Sequence, residues 1–318
     1  MRVVVTGASG YVGGAFAERL ARAGHHVVAT SHRGEVRVEG VDTVRCDIRD
    51  PGQVRRALRG ADTIVHCAAL VGPYYRTADL EMTNVTGTRN VLRAASEEGT
   101  GHLVHVSSTC VMDEYRDHDG TDESHPYPKV TRDGYTMTKL AAERLVLDNA
   151  DGLAVTVLRP GWVWGPGAPG MQGLLWALDR GLFVMPGKGD NMLHLTYVDN
   201  LASVAPRVVG RRTPGTFIIT DRACTDLATF TACLLRHLGR GSRVGSVPFE
   251  IAYALSSLIE PLEVALGTGL LNRLQLSNLG RSHRFDTTHA REVLGYRPTV
   301  DLEEGSARTV GWYKEVRR

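Results

Sequence analysis

Apolar residues fall in short runs through the first half of the chain, separated by longer amphipathic stretches. Val3-Val4-Val5 leads through Thr6 into three glycines spaced three apart, Gly7, Gly10 and Gly13. A β-branched run bounded by glycine reads as a strand and tight turn, and the Ala-rich segment over 14–23 as the next helix. The same pattern predicts strands over 26–30, 43–46, 63–66, 102–106 and 154–158, with helices over 51–58, 79–98 and 134–149. Asp50 suits an N-cap and Pro51 a first helical position. Alternation of this kind predicts an α/β fold: a doubly wound parallel sheet with right-handed crossovers. Ligands then sit beyond the carboxyl ends of the strands.

After Pro160 the pattern changes. Residues 161–173 are rich in Gly and Pro and include Trp162 and Trp164. A connection over 193–198, a helix from Leu201 and a late strand over 216–220 come next, and the chain is mainly helical from about Thr225. The expected organisation is a nucleotide-binding domain over 1–160, with 193–220 returning to it. A smaller, mainly helical C-terminal substrate lobe is then formed by 161–192 and 221–318. The longest apolar stretch, over 251–267, contains Glu260, Pro261 and Glu263, so no transmembrane segment is expected. The first apolar run is too short for a signal peptide. Five cysteines, Cys46, Cys67, Cys110, Cys224 and Cys233, form no C-x-x-C pair; this predicts no metal site, no disulfide framework and a cytoplasmic location. A net charge of +2 weighs against a nucleic-acid partner.

The chemistry gathers at four places. The glycine turn, with Ser9, Tyr11 and Val12 between its glycines, suits a pyrophosphate: glycine admits close backbone approach and the helix start offers free N–H groups. Its G-x-x-G-x-x-G spacing departs from the general G-x-G-x-x-G fingerprint. Tyr135 and Lys139 lie one helical turn apart. An ammonium beside a phenol lowers its pKa from about 10, which equips it to exchange a proton with a carbonyl or alcohol oxygen. A surface Tyr and Lys is the plainer alternative. Ser107, Ser108 and Thr109 end the fifth strand, and Asn84 offers an amide to a water or main-chain group. Strand-end capping and a satisfied helix residue are their plainer readings. The second strand ends in Ser31-His32-Arg33, with no acid before Glu35. A hydroxyl and a guanidinium suit a 2′-phosphate, so NADP(H) is expected over NAD(H). The alternative is a solvated loop charge.

Together these pieces resemble the extended short-chain dehydrogenase/reductase family, with its Rossmann-type sheet. The matching residues are the Thr6–Gly13 turn, Asp47-Ile48, His66-Cys67-Ala68-Ala69, Asn84-Val85-x-Gly87-Thr88, Ser107-Ser108, Tyr135-x-x-x-Lys139 and Arg159-Pro160-Gly161-x-Val163. The resemblance implies hydride transfer with NAD(P), Tyr135 as proton donor or acceptor, and Lys139 tuning it and binding the nicotinamide ribose. It implies that Ser108, three before Val111, orients the substrate oxygen, and that Asn84 belongs to the catalytic set. Asp47 and Ile48 would lie by the adenine, Ala68 and Ala69 along the cofactor, and Pro160 to Val163 near the nicotinamide. Val111-Met112-Asp113 departs from the family's V-Y-G, on the substrate side.

The C-terminal half, with His283-Arg284-Phe285-Asp286 and Leu294-Gly295-Tyr296-Arg297-Pro298, resembles the 3β-hydroxysteroid dehydrogenase branch and its 2-alkyl-3-oxoalkanoate reductase relatives. Trp162, Trp164, Phe183, Phe249, Tyr253 and Leu258 would make an apolar cleft, although each equally suits the core of the lobe. Trp162 and His194 are the substrate-side candidates. The resemblance also implies a homodimer through the helices over 79–98 and 134–149. The implied function is an NADPH-dependent ketone/secondary-alcohol oxidoreductase acting on a steroid, polyketide or β-keto acid. The alternatives are a sugar-nucleotide epimerase, dehydratase or reductase, and a non-catalytic NAD(P)-sensing protein.

Overall fold

Seven parallel strands carry the molecule: β1 (Arg2–Thr6), β2 (His26–Ser31), β3 (Asp42–Arg45), β4 (Thr63–His66), β5 (His102–Val106), β6 (Ala154–Pro160) and β7 (Gly215–Ile219). Their spatial order is β7-β6-β5-β4-β1-β2-β3. The computed structural model describes residues 1–72, 75–113, 116–131, 133–150, 152–241, 244–256, 276 and 279–317. The strand order reverses between β1 and β4, where an open parallel sheet offers its ligand crevice. Register fixes what lines that crevice: Thr6 lies opposite His66, and His66 opposite His105.

The two-residue period of the strands divides the core into two layers. Val3, Val5, Val104 and Val106 pack with Phe16, Leu20 and Val208 on one face. Val4, Ile64, Leu103 and Val157 pack with Val54, Leu58, Val91 and Val146 on the other. Each fully buried aliphatic or aromatic side chain stabilises the fold by about 1.5–3 kcal/mol relative to exposure. This double coverage is what makes β1 apolar at every central position rather than alternating.

The covering helices are α1 (Tyr11–Arg22), α2 (Pro51–Leu58), α3 (Thr77–Leu80), α4 (Gly87–Glu97), α5 (Gly134–Asp148), α7 (Val198–Ala202) and α8 (Ala205–Arg211). In the lobe, α6 is Met171–Asp179, α9 Leu227–Leu238 and α11 Leu302–Val316; α10, Thr288–Val293, packs on the sheet. Asp50 caps α2 through Gly52 N and Gln53 N, and Asp133 caps α5 through Thr136 N. The rod expected over 79–98 is not uniform: α3 and α4 are joined by a π-helical segment, Glu81–Thr86, which contains Asn84.

The lobe has its own core of Trp164, Leu175, Phe230, Leu234, Val310 and Tyr313. Trp164 stands edge-on to Tyr197 at 5.1 Å and to Phe230 at 5.2 Å, and donates to Asp221 at 3.0 Å. Gly305 admits this ring, since a Cβ there would lie 2.6 Å from it. Trp164, offered above for the cleft, is therefore a core residue. Ala290, Leu294 and Tyr296 pack with the sheet layer that holds β7, not with the lobe core. Parallel pairing of 118–121 with 283–285 ties the C-terminal segment to the stretch before α5. Most of the apolar stretch over 251–267, including Leu258, lies outside the described residues. Among those described, no helix is long and apolar enough to cross a membrane.

Candidate active site

At the glycine turn the backbone leaves no room for side chains. Gly7 has φ +70°, and a Cβ there would lie 2.6 Å from Ala68 Cα. A Cβ on Gly13 would lie 2.3 Å from the Gly7 carbonyl oxygen. These approaches bring β1, β4 and the start of α1 together. Gly10 caps α1 without a side-chain hydrogen bond, so the first-turn amides of Tyr11, Val12 and Gly13 have no intrahelical acceptor. Amides converging where the dipole is positive fit the pyrophosphate of a dinucleotide.

The end of β2 differs in part from expectation. Ser31 donates to Gly34 O at 2.6 Å and bonds to the Ser9 hydroxyl at 2.8 Å, so Ser31 shapes the loop rather than waiting for a phosphate. Gly34 is required there, since a Cβ would meet Ser9 at 2.8 Å. His32 Nε2 lies 3.4 Å from Asp47. Asp47 is gripped by Arg49 at 2.7 and 2.9 Å, and this guanidinium holds its carboxyl down at about 2. Arg33 is exposed and enters no ion pair among the described residues. With His32 and Arg45 it lines one open groove. Ile48 is buried, packed where a Cβ on Gly87 would come within 2.5 Å of it.

Tyr135, Lys139 and Ser108 meet beyond the ends of β4 and β5. Ser108 caps the short turn Thr109–Met112, accepting from Cys110 N at 3.2 Å, and its hydroxyl hydrogen-bonds the Tyr135 phenol. Ser107 is buried and its hydroxyl makes no hydrogen bond among the described residues, which favours Ser108. Lys139 is buried and donates to Val106 O at 2.8 Å. Burial lowers its pKa. Burial, with the Cys110 thiol next, raises that of Tyr135 above the ordinary phenol value, and the Ser108 bond only partly opposes this. The expected lowering of the phenol by Lys139 is thus not what this chain's own residues produce. Burial keeps the Tyr135 phenol protonated at neutral pH.

Asn84 does not touch the reacting groups. Its Oδ1 accepts from Leu70 N at 2.8 Å, and its Nδ2 donates to Leu70 O at 3.1 Å and Thr138 Oγ1 at 3.1 Å. It clamps the segment after β4 to α5, and so is a positioning residue. Below it runs a network that sequence reasoning missed. Ala68 N donates to Thr6 Oγ1 at 3.2 Å, Thr6 pairs with His66 Nδ1 at 2.7 Å, His66 Nε2 with Thr88 Oγ1 at 2.9 Å, and Thr88 donates to Asn84 O at 2.6 Å. Only one tautomer satisfies every member: His66 carries its proton on Nε2 and accepts at Nδ1. Burial, followed by the charge of Lys139, pushes the His66 pKa to about 3, so the ring stays neutral.

A buried ion pair, also missed, anchors α5 to β6. Arg159 Nη2 lies 2.6 Å from Glu143 Oε1, and Tyr127 donates to the same oxygen at 2.7 Å. The available signal was Glu143 one turn beyond Lys139, facing Arg159 at a strand end. Met112, in the stretch that departs from V-Y-G, is buried with its sulfur 3.2 Å from Arg159.

On the substrate side, His194 is a structural residue. Its Nδ1 accepts from Phe285 N at 3.0 Å and its Nε2 pairs with Thr220 at 2.9 Å, leaving no nitrogen for a ligand. Pro160 ends β6, and Val163 lies half-buried in the short strand Trp162–Trp164. Trp162 stays 43% exposed, edge-on to Phe230 at 6.0 Å. Ala68 and Ala69 are half-buried after β4.

Residues 3–219 match the NAD dependent epimerase/dehydratase family. The chain is 32% identical to a 2-alkyl-3-oxoalkanoate reductase of Stenotrophomonas maltophilia, over 97% of this chain and 98% of that protein. It is also 32% identical, over 96% and 94%, to a 4-hydroxy-2-methyl-3-oxo-4-farnesyl-3,4-dihydroquinoline-1-oxide ketoreductase of Stigmatella aurantiaca. Among solved structures, a UDP-glucose 4-epimerase of Thermotoga maritima superposes with a TM-score of 0.80 over 100% of both chains at 21% identity, a likeness of fold. A nucleotide-fitting glycine turn, an assembled Ser108–Tyr135–Lys139 set and these matches place the chain in the NAD dependent epimerase/dehydratase family, the extended short-chain dehydrogenase/reductases, as an oxidoreductase acting on keto and hydroxyl groups.

Proposed function

We propose that this enzyme reduces the ketone of a largely apolar substrate bearing a β-keto group, with NADPH as the preferred cofactor. The observation that carries the reading is the Ser108–Tyr135–Lys139 assembly in a chain similar over nearly its whole length to two named ketoreductases. NADPH supplies the hydride when bound. Tyr135 gives its phenolic proton to the carbonyl oxygen, and Ser108 holds that oxygen by a hydrogen bond. Lys139, pinned by the Val106 carbonyl, offers its remaining N–H groups to a ribose hydroxyl. Burial keeps the phenol in the protonated form that ketone reduction needs. The exposed half of Trp162 offers apolar surface to such a substrate.

The preference for NADPH rests on Arg33 and Arg45 in the groove at the end of β2, where Glu35, the nearest acid along the chain, is paired with Arg37 at 3.2 Å. Steady-state kcat/KM with a 2-alkyl-3-oxoalkanoate tests both halves of the reading. Reduction at least about tenfold more efficient with NADPH than NADH, and a loss of about tenfold in that ratio in Arg33→Ala, are expected from one charged phosphate contact. A preference for NADH overturns the cofactor reading. Turnover of UDP-glucose without added cofactor, with no ketone reduction, overturns the substrate reading. A homodimer through the rod over 77–97 and α5, whose exposed faces carry Met82 and Leu147, belongs to the same reading; a monomer by sedimentation velocity refutes it.

A further inference from the structure

Among the described residues, one group of three ligand-type side chains lies outside the site above, where α9 meets the start of α11: Cys233, His237 and Glu303. Cys233 and His237 are one turn apart on α9 and share a face. Glu303 stands in the first turn of α11. Cys233 Sγ is 3.2 Å from Glu303 Oε2, and His237 Nε2 is 2.9 Å from Glu303 Oε1. All three ligand atoms fall within 4.8 Å of one another. Tetrahedral zinc, with Zn–S of about 2.3 Å and Zn–N or Zn–O of about 2.0 Å, needs its ligand atoms roughly 3.2–3.6 Å apart. The two contacts to Glu303, one through each carboxylate oxygen, lie at or just below that spacing, and with all three ligand atoms within 4.8 Å a modest side-chain rotation completes it.

We propose that Cys233, His237 and Glu303 bind a divalent zinc-type cation that clamps α9 to α11. Thiolate, imidazole and carboxylate together match the borderline softness of zinc, and exclude magnesium or calcium, which take oxygen ligands. On binding, the Cys233 thiol releases one proton to solvent, and the imidazole stays neutral with its proton on Nδ1. One negative charge from sulfur and one from carboxylate then balance the two positive charges of the metal. Cys233 is buried while Glu303 is half-exposed, so the site opens to solvent on one side, where water completes the tetrahedron. Lys314 donates to the His237 carbonyl at 2.9 Å and ties the end of α9 to α11. Arg236, 3.0 Å from Glu303 and 65% exposed, is the competitor: its guanidinium occupies the carboxylate and must swing outward.

The plainer account of the triad is a carboxylate hydrogen-bonded by a thiol, an imidazole and a guanidinium. Untagged full-length protein titrated with cobalt(II), and separately with zinc(II) in a thermal-shift assay, separates the two. Expected are one equivalent of cobalt giving a thiolate charge-transfer band with tetrahedral visible bands, and a raised Tm with zinc. Cys233→Ser and His237→Ala each lose the band and weaken binding at least about tenfold, and Arg236→Ala binds more tightly than the parent chain. A thiolate band absent at about 100 µM cobalt, with Tm unmoved by zinc, overturns the proposal. So does a zinc-induced shift retained in the Cys233→Ser/His237→Ala double variant. These readouts do not involve turnover, so they stand or fall separately from the ketoreductase reading.

Discussion

At the glycine turn, recognition is a property of backbone: Gly7 and Gly13 exclude side chains so that amide groups converge. Around Tyr135, it is a property of side chains held by other side chains: Asn84 on Leu70 and Thr138, His66 between Thr6 and Thr88, Lys139 on Val106. The first region has no spare space, whereas the second keeps buried polar atoms without a partner among the described residues at Ser107, Thr136 and His105. Damage to the turn therefore reaches folding and cofactor binding together. Around Tyr135 the proposed function predicts that the two separate, because none of those network bonds is made by the Tyr135 or Ser108 hydroxyl.

Tyr135→Phe tests that separation most sharply. Turnover is expected to fall by about 10²–10⁴, the usual worth of a positioned acid, with NADPH binding by fluorescence titration nearly unchanged. A variant retaining more than about a tenth of the parent activity removes the acid role. Acid is the next largest lever. His66, His102 and His194 are pushed to about 3, 4 and 4 by burial, and His105 well below its ordinary value for the same reason. A histidine with a lowered native pKa stays neutral while the unfolded chain takes up protons, so stability is full above about pH 6.5 and falls as pH drops toward the native values. Urea unfolding at pH 7 and pH 5 should differ by on the order of 5 kcal/mol, and equal midpoints would mean these rings protonate freely in the fold.

Gly13→Ala comes third. Its methyl cannot coexist with an oxygen at 2.3 Å, so the turn must open. A stability loss of about 2–4 kcal/mol, together with weakened NADPH affinity, is expected; loss of one without the other breaks the contrast between the two regions. Asn84→Ala is expected to be mildest, costing about 1–3 kcal/mol in unfolding experiments for the Leu70 and Thr138 groups left unpaired. Its kcat falls less than that of Tyr135→Phe, and the pH profile of turnover keeps its shape. A loss as deep as that of Tyr135→Phe would return Asn84 to the reacting groups.

The elements most legible in the chain are those whose limits are local. Strands 63–66 and 102–106 and the helix over 51–58 occupy those residues in the structure, because apolar runs, Asp50 and Pro51 settle them without help from afar. The Tyr135–Lys139 spacing and the glycine turn are legible for the same reason. What escaped depends largely on partners distant along the chain. Ser31 bonds to Ser9 across the glycine turn as well as to nearby Gly34, and His194 is occupied by Phe285 and Thr220. No local pattern records bonds across that many residues. Cys233 leaves no C-x-x-C spacing, because its neighbours in space are a histidine one turn on and an acid from another helix.

The π-helical segment at Glu81–Thr86 acts as a frameshift within a helix. A π turn carries a residue more than an α turn, so the C-terminal portion, α4, is rotated by roughly 100° against the N-terminal portion, α3. That phase jump sets which face of α4, with Thr88 and Val91, turns inward alongside Leu80 of α3. Deleting a single residue between 81 and 86 removes that jump, so Leu80 on α3 and Val91 and Ala95 on α4 can no longer all face inward. The chain keeps the irregular version, and with it a helix that reads in two frames at once.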